Sequence, residues 1–251
     1  MDLGATLGLG DSELVAFVGA GGKKTAMACL AREAGSRGLS VGYTTTTHTP
    51  PPGDMPLVVT GPDSPVAVLP GTGSPVAFAA ERVDSPERAP VKVRGFDAGV
   101  IDTVFASGRF DWLLVKADGA RRREFKAPGP DEPVVPGATT YVVPVASVRA
   151  IGQSLDAPAV HRPERVADIV GGEVGETVTA ESVGRVLGSE SGGLKAVPRG
   201  ASVTPVVNKA DTPGDRERAR EAVRTALAAS DRLDRGLVTS FETGHCEVVE
   251  G

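Results

Sequence analysis

The chain has 251 residues, which is enough to bury a substantial core in one large α/β domain or two small ones. Its 27 basic and 32 acidic residues give a net charge of −5, so it lacks the overall positive field that attracts nucleic acid or anionic membranes, and we expect neither as a partner. Cys29 and Cys246 lie far apart and support no disulfide or zinc framework, and no apolar run approaches a membrane span, so we expect a cytoplasmic, non-secreted protein.

The first predicted element is a strand over residues 14–18, which ends in a short glycine loop followed by a helix. Gly19, Gly21 and Gly22 permit a tight turn that aims several backbone N–H groups into one concavity. The helix adds the positive end of its dipole at the same place. A strand, a glycine loop and a helix that starts with lysine, in this order, predict a nucleotide phosphate site.

The loop departs from both common nucleotide-binding patterns. Phe17 stands where the first glycine of G-x-x-x-x-G-K-[ST] belongs, and Lys24 occupies the third glycine position of G-x-G-x-x-G. We interpret the loop as a shortened P-loop in which Lys23 reaches the terminal phosphates and Thr25 is the nearest hydroxyl for magnesium. The alternative is a plain glycine turn with solvated lysines. The candidate phosphate-binding residues are Gly19, Ala20, Gly21, Gly22, Lys23, Lys24 and Thr25.

A second predicted strand contains SVGY and leads into the segment TTTTH, residues 44–48. Ligands of open α/β sheets bind at the carboxyl edge, where these hydroxyls emerge. Thr46 or Thr47 is therefore a candidate contact for magnesium or a γ-phosphate, with His48 as a polar neighbour. The alternative is a strand that is simply rich in a β-favouring residue.

The composition changes to proline and glycine over residues 49–90, where LVV, VAVL and VAFA are short apolar pieces. This pattern indicates a small β-rich insertion over about 49–95, and we do not expect it to form an independent domain. A helix is predicted next, over residues 96–107, because Val100, Ile101, Val104 and Phe105 share one helical face.

The strand in FDWLLVKADG brings Asp118 to the end of a buried run. A Walker B carboxylate stands at this position and holds magnesium directly or through water. A carboxylate before a glycine turn is also common as a purely structural feature. Lys23 and Asp118 are thus the candidate catalytic residues, and Thr25 and Asp118 are the candidate metal ligands.

Four cations follow Asp118 within six positions, namely the arginines at 121–123 and Lys126. They lie beside the predicted catalytic edge and could hold a phosphate, and we favour Arg121 and Lys126 for that role. The alternative is a solvated basic face. Further along, His161 precedes a helix whose first turn contains Pro163, and no role is assigned to it.

The C-terminal part continues the alternation of strands and helices. TTYVVPV, SVTPVV and GLVTS are predicted strands, and a helix is predicted over residues 213–230, with Thr212, Pro213 and Asp215 at its start. Short, fully apolar strands indicate a buried parallel sheet. We therefore predict an α/β fold, with a mostly parallel sheet flanked by helices, as a single P-loop NTPase-like domain over residues 1–251 that carries the β-rich insertion.

Asn208, Lys209 and Asp211 fit the N-K-x-D pattern that recognises guanine. Asp211 would accept hydrogen bonds from guanine N1 and N2, Asn208 would brace the loop, and Lys209 would lie along the purine. Adenine presents the wrong donors and acceptors to such a carboxylate. The alternative is that Asp211 belongs to the N-terminus of the following helix.

Five segments, in this order, resemble the YqeC family of selenium-dependent hydroxylase accessory proteins: FVGAGGKKT, YTTTTHTPPP, KADGARRREFKAPGPDEPVVP, HRPERVADIVGG and VVNKAD. The resemblance covers most of the chain, and residues 117–136 carry its most specific part. It implies a P-loop-like protein linked to the maturation of molybdenum-containing hydroxylases. Lys24 replaces a threonine of the family loop, and Lys116 stands where the family tends to have an acidic residue. These extra cations suggest tight phosphate binding with weak metal-assisted hydrolysis.

The first functional hypothesis is a magnesium-dependent accessory protein that binds GTP or ATP and assists a molybdenum hydroxylase or its cofactor. A second hypothesis is an ATP-dependent ligase or kinase that acts on a small acid, because the loop and the threonine-rich strand also resemble those of Mur-type ligases. A third is a non-hydrolysing chaperone that binds the molybdenum cofactor through its basic segment.

Overall fold

The computed structural model describes residues 1–63, 65–67, 69, 75–83 and 91–251. Its strands are β1 (Glu13–Gly19), β2 (Val41–Thr45), β3 (His48–Thr49), β4 (Leu57–Val59), β5 (Val76–Ala79), β6 (Glu81–Val83), β7 (Lys92–Arg94), β8 (Trp112–Lys116), β9 (Phe125–Lys126), β10 (Tyr141–Ser147), β11 (Val160–His161), β12 (Ser202–Val203), β13 (Val206–Asn208), β14 (Arg235–Ser240) and β15 (His245–Glu250). Its helices are α1 (Leu3–Leu7), α2 (Lys23–Ser36), α3 (Ala98–Ala106), α4 (Pro163–Val170), α5 (Ala180–Leu187) and α6 (Pro213–Ala228).

The main sheet has the strand order β15-β14-β13-β10-β1-β8-β2-β5-β4, and the short β12 also pairs with β10. Its neighbours are parallel except β14 and β15, which are antiparallel. The strands β1 and β8 lie at the centre and are buried along most of their length, as expected when both faces of a parallel sheet are covered.

The two central strands supply side chains to both faces of the sheet. In β8, Trp112 and Leu114 join a core that includes residues of α1 and α2, whereas Leu113 and Val115 join a core that includes residues of α3. A further core connects the β1 residues Ala16 and Val18 with α4, α5 and α6. The prediction of an α/β fold with a mostly parallel sheet flanked by helices is therefore confirmed, and the arrangement is the one expected of a P-loop-like fold.

The proline- and glycine-rich region contributes to two sheets. LVV and VAFA form β4 and β5 and extend the main sheet beyond β2, while β3, β6 and β7 form a small antiparallel sheet. The VAVL piece was expected to be extended, but residues Pro65–Ala67 form a 3₁₀ turn there, and Val68 lies outside the described residues. Proline at 65 fixes a backbone angle that suits such a turn.

The predicted helices agree with the structure. Residues 96–107 contain α3, and residues 213–230 contain α6. Thr212 and Asp215 form a reciprocal capping box at the start of α6, with Pro213 in its first turn. In the described ranges, none of the helices combines the length and the apolarity needed to cross a membrane.

Candidate functional site

The glycine loop connects the end of β1 with the start of α2 at the carboxyl edge of the sheet. Gly19, Gly21 and Gly22 have φ angles of +90°, +76° and +151°, which side chains disfavour. A Cβ atom on Gly21 would lie 2.5 Å from the Cβ of Ser147, so the loop has no room for one. Gly22 precedes α2 without a side-chain cap, which leaves the first N–H groups of the helix without a side-chain acceptor at this position. The loop therefore has the backbone form that an anion site requires.

The side chain of Lys23 turns inward to Asp118. Its Nζ atom lies 2.5 Å from Oδ1 of Asp118 and also donates to the carbonyl of Gly19, whose own N–H donates to Oδ2 of Asp118 at 2.8 Å. Burial lowers the pKa of Lys23, and Asp118 opposes that shift. Burial alone would raise the pKa of Asp118, but the charges of Lys23 and Lys126 hold it below its ordinary value. The two predicted catalytic residues thus form one buried ion pair.

Lys126 approaches the same carboxylate from β9. Its Nζ atom lies 3.0 Å from Oδ2 of Asp118, 2.8 Å from Oε2 of Glu132 and 2.6 Å from the carbonyl oxygen of Gly119. Arg162 donates to the same Oε2 atom of Glu132 at 2.7 Å. Partial burial raises the pKa of Glu132, but Arg162 and Lys126 bring it down to about 2. Glu132 is therefore ionised and links Arg162 to the ion pairs of Asp118.

The pairing of β9 with β11 brings the FKAP and HRPER segments together. Phe125 lies opposite Val160 and Lys126 lies opposite His161 in this two-stranded parallel sheet. Burial, followed by the charge of Arg162, lowers the pKa of His161 to about 4. His161 is therefore a neutral neighbour of the cations at pH 7.

Lys116 and the threonine segment complete the edge on the β2 side. The Nζ atom of Lys116 donates to Oγ1 of Thr47 at 2.8 Å, and the hydroxyl of Thr46 donates to the carbonyl of Val134 at 2.8 Å. Burial, together with repulsion from Lys23, lowers the pKa of Lys116 to about 7. Both candidate threonines thus lie at the expected edge, and Thr47 contacts a lysine of the site, while His48 is exposed.

The remaining predicted cations are closer to solvent. Arg121 and Arg122 form a turn with φ angles of +46° and +63°, and both are exposed. Lys24 and Thr25 are exposed on the first turn of α2. Partial burial lowers the pKa of Lys24, and the positive charge of Arg122 lowers it further. Of the two basic residues that the sequence favoured, Lys126 lies inside the ion-pair network and Arg121 lies at its exposed rim.

The NKAD segment reaches the glycine loop from the end of β13. Asn208 donates through Nδ2 to the carbonyl of Gly21 at 3.1 Å, and Thr239 donates to its Oδ1 at 3.0 Å. Asn208 thus contacts the glycine loop directly. Lys209 lies 2.6 Å from Oε1 of Glu124, on the segment between the arginine turn and β9.

Asp211 does not cap α6, since Thr212 and Asp215 perform that role. Its carboxylate accepts from the hydroxyl of Ser240 at 2.6 Å and from Arg149 at 2.8 Å. These two partners lower its pKa, Ser240 more than Arg149. The Arg149 side chain is 54% exposed, so a ligand could displace it and reach Asp211.

The residues at this edge do not fit a magnesium ion bound directly to Asp118. Oδ1 accepts from the Lys23 ammonium, and Oδ2 accepts from the Gly19 N–H and faces the Lys126 ammonium. A divalent cation would have to displace these partners and would be repelled by the remaining ammonium groups. Within the described residues, no group of three or more His, Cys, Asp or Glu side chains is arranged to hold a metal ion. The expected Mg²⁺ ligand pair of Thr25 and Asp118 therefore lacks a free carboxylate oxygen in this arrangement.

The sequence did not identify two carboxylates and one cation that organise the site. Glu124 pairs with Lys209, Glu132 pairs with Lys126, and Arg162 pairs with Glu132, yet each of them looked like an ordinary polar residue of a basic or proline-rich segment. A usable signal was present, because Glu132 and Arg162 belong to EPVVP and HRPER, two segments that carry the family resemblance.

Comparison with known proteins agrees with this resemblance. A family model described as "YqeC protein" matches residues 15–164, which include the glycine loop, the threonine segment, Asp118 and the FKAP and HRPER segments. The NKAD segment lies outside the matched range. The chain is also similar to "Uncharacterized protein YqeC" of Escherichia coli (strain K12), with 31% identity over 198 residues that cover 78% of this chain and 75% of that relative.

Proposed function

The chain belongs to the YqeC family, and on that premise we propose that it binds a nucleoside triphosphate and acts as an accessory protein in the maturation of a molybdenum-containing hydroxylase. The observation that supports nucleotide binding is the position of the glycine loop. The loop lies at the carboxyl edge of a parallel sheet, before an uncapped helix N-terminus, with Lys23 and Lys116 beside it. Open α/β sheets bind phosphorylated ligands at this edge.

The accessory role is supported by the resemblance of the five sequence segments, of which FKAP and HRPER pair in the fold. In this proposal the nucleotide occupies the glycine loop, and the exposed arginine turn at Arg121 and Arg122 faces the client protein or its cofactor. Nucleotide binding and client binding then occur at neighbouring surfaces, so one can influence the other through the loop that contains both Asp118 and the arginines.

We propose that the base is guanine, held by Asp211. When guanine enters, its N1 and N2 hydrogens donate to the Asp211 carboxylate in place of Arg149, which is exposed and moves aside. Adenine offers no matching pair of donors, so its complex leaves the Arg149 ion pair intact. Asn208 couples base binding to phosphate binding, because it contacts Gly21 of the glycine loop and lies three residues before Asp211 in the chain.

GTP is therefore expected to raise the unfolding temperature more than ATP at equal concentration, because a ligand that binds only the folded state stabilises it by mass action. In Asp211→Asn the preference for GTP over ATP should fall by about tenfold to a hundredfold in affinity, since a neutral amide with a single acceptor oxygen replaces the charged carboxylate that receives the two guanine hydrogens. Differential scanning fluorimetry with both nucleotides measures the effect.

The matched control is Glu242→Gln, which removes an exposed carboxylate 4.0 Å from the same arginine. It should leave both nucleotide responses unchanged. Equal losses of GTP and ATP binding in Asp211→Asn would contradict guanine recognition, and the absence of any response to either nucleotide in the unmodified protein would contradict the proposed function. A preference for ATP would favour the ligase or kinase hypothesis.

One observation favours a second candidate, the non-hydrolysing chaperone. Both carboxylate oxygens of Asp118 are engaged by Lys23, Lys126 and the Gly19 N–H, so Asp118 is not free to hold a metal ion for hydrolysis in this arrangement. The second candidate differs from an NTPase in releasing no inorganic phosphate, which a colorimetric phosphate assay measures directly.

A further inference from the structure

We propose that this site binds the phosphate chain without a divalent metal ion, because a cluster of three lysines supplies the positive charge that magnesium commonly provides. The lysine cluster consists of Lys23, Lys116 and Lys126. This inference rests on the proposed function and adds which groups supply the positive charge at its phosphate site.

The fold brings the lysine cluster together from three different elements. Lys23 starts α2, Lys116 ends β8, and Lys126 ends β9. In the sheet, Lys116 lies opposite Phe17 of β1 on one side and Thr45 of β2 on the other, so it stands between the glycine loop and the threonine segment. The exposed fractions of Lys23, Lys116 and Lys126 are 5%, 7% and 3%. Lysines are almost never fully buried without a partner. Lys23 and Lys126 have carboxylate partners, whereas the described partner of Lys116 is a hydroxyl.

The charges of this buried network do not balance. Burial and the neighbouring Lys23 lower the pKa of Lys116 to about 7. When Lys116 is protonated, four cations, the lysine cluster and Arg162, face two carboxylates, Asp118 and Glu132. In the part of the chain that the structure describes, Lys116 pairs with the hydroxyl of Thr47 and not with a carboxylate. A buried cation without a countercharge is costly, and an entering anion removes that cost. The excess of positive charge therefore favours a polyanion and disfavours a divalent cation.

The contacts of Asp118 indicate how the phosphate chain is received. Lys23 turns from Asp118 to the phosphates, while Asp118 keeps the Gly19 N–H and the Lys126 ammonium as partners. The carboxylate thus stays neutralised throughout and does not become available to a metal. Lys116 approaches the phosphates from the β2 side, and the anion favours its charged form. The role of Asp118 in this account is to position lysines, which differs from the metal-binding role expected from the sequence.

The test is isothermal titration calorimetry of GTP and ATP with the purified full chain, once in excess EDTA and once in excess MgCl₂. We expect the dissociation constants in the two buffers to agree within about threefold. Binding that is at least tenfold tighter with Mg²⁺ would overturn the metal-free site while leaving the proposed function standing. Failure of both nucleotides to bind in either buffer would overturn the proposed function and this inference together.

The variant Lys116→Met tests the lysine cluster itself. In EDTA, its affinity for the same nucleotide should be about tenfold lower, since one charged contact to phosphate is lost. Its unfolding temperature should rise by a few degrees, because a buried lysine that has no carboxylate partner within the described residues is replaced by an apolar side chain of similar length. A purely structural lysine would not give this combination of weaker binding and a more stable fold.

Lys92→Met in β7 is the matched control, because it makes the same chemical change outside the lysine cluster. It should bind nucleotide as the unmodified protein does. Unchanged affinity of Lys116→Met in EDTA would overturn the proposed role of the cluster, and the wild-type comparison of EDTA with MgCl₂ tests the inference even if the variant fails to fold.

Discussion

Replacement of Lys23 by methionine is expected to lower the affinity for GTP and ATP by roughly a hundredfold. The Lys23 ammonium lies at the start of α2, within reach of both the Gly19 carbonyl and Asp118, and in the proposed complex it binds the terminal phosphates. Loss of its charge-assisted hydrogen bonds costs about 3 kcal/mol, which corresponds to that factor in affinity. Methionine keeps the length of the stem, so the effect reports on charge more than on packing. Calorimetric titration measures it.

The adjacent Lys24 provides the matched control. Lys24 is exposed and follows Lys23 in the first turn of α2, so Lys24→Met removes the same charge from the neighbouring position. We expect its effect to be several times smaller than that of Lys23→Met, because an exposed charge is screened by solvent. If the two variants lose affinity equally, the loop acts as a diffuse basic surface and not as a shaped phosphate site.

Asp118→Asn is expected to destabilise the fold by about 3–5 kcal/mol at neutral pH. The carboxylate is 1% exposed and neutralises two buried ammonium groups, Lys23 and Lys126, which the amide cannot do. Removal of one partner of a buried ion pair leaves an uncompensated charge, and that penalty has this magnitude. Urea unfolding followed by the fluorescence of Trp112, the single tryptophan, gives the free energy of unfolding.

The pH dependence of the same measurement has a definite sign. Because the pKa of Asp118 is below its ordinary value of 3.8 in the folded protein, its contribution is fully present above that value and is lost as the pH falls through the folded pKa. The difference between the unmodified protein and Asp118→Asn should therefore shrink in acid. Asp131→Asn, which changes an exposed carboxylate nearby, should have little effect at any pH. Coincident unfolding curves for Asp118→Asn and the unmodified protein would show that the ion pairs do not support the fold.

Local signals in the sequence were sufficient for the main elements. The apolar runs that became β1, β8 and β10 are long and fully buried, and the spacing of apolar residues identified α3 and α6. The start of α6 was predicted because the capping box depends only on residues three positions apart. The positions of Gly19 to Lys23 at the sheet edge follow from the same local pattern.

The contacts inside the site depend on residues far apart in the chain, which explains why the sequence did not reveal them. Lys23 and Asp118 are 95 residues apart, and Arg162 and Glu132 are 30 apart. The sequence identified Lys23 and Asp118 separately but could not show that they neutralise each other. The pairing of β9 with β11 involves strands of two residues, too short for any periodic pattern to predict.

The edge of the sheet was also difficult to predict, for a related reason. The strands β4 and β5 have only three and four residues and are separated by proline and glycine, so composition indicated an insertion. Their place in the main sheet is decided by tertiary contacts, because β5 pairs with β2 and β4 pairs with β5. Short apolar pieces become strands when a neighbouring strand supplies hydrogen-bond partners, whatever their own sequence favours.

The central claim is that the glycine loop binds the phosphate chain of a nucleotide, and a titration with GTP, GDP and GMP tests it most directly. Each phosphate removed takes away contacts with the loop N–H groups and the lysine cluster, so affinity should decrease in the order GTP, GDP, GMP, by about tenfold or more at each step. Inorganic triphosphate should compete with GTP for the same site. Equal affinity for GTP and GMP, with no competition by triphosphate, would show that the loop does not bind phosphate.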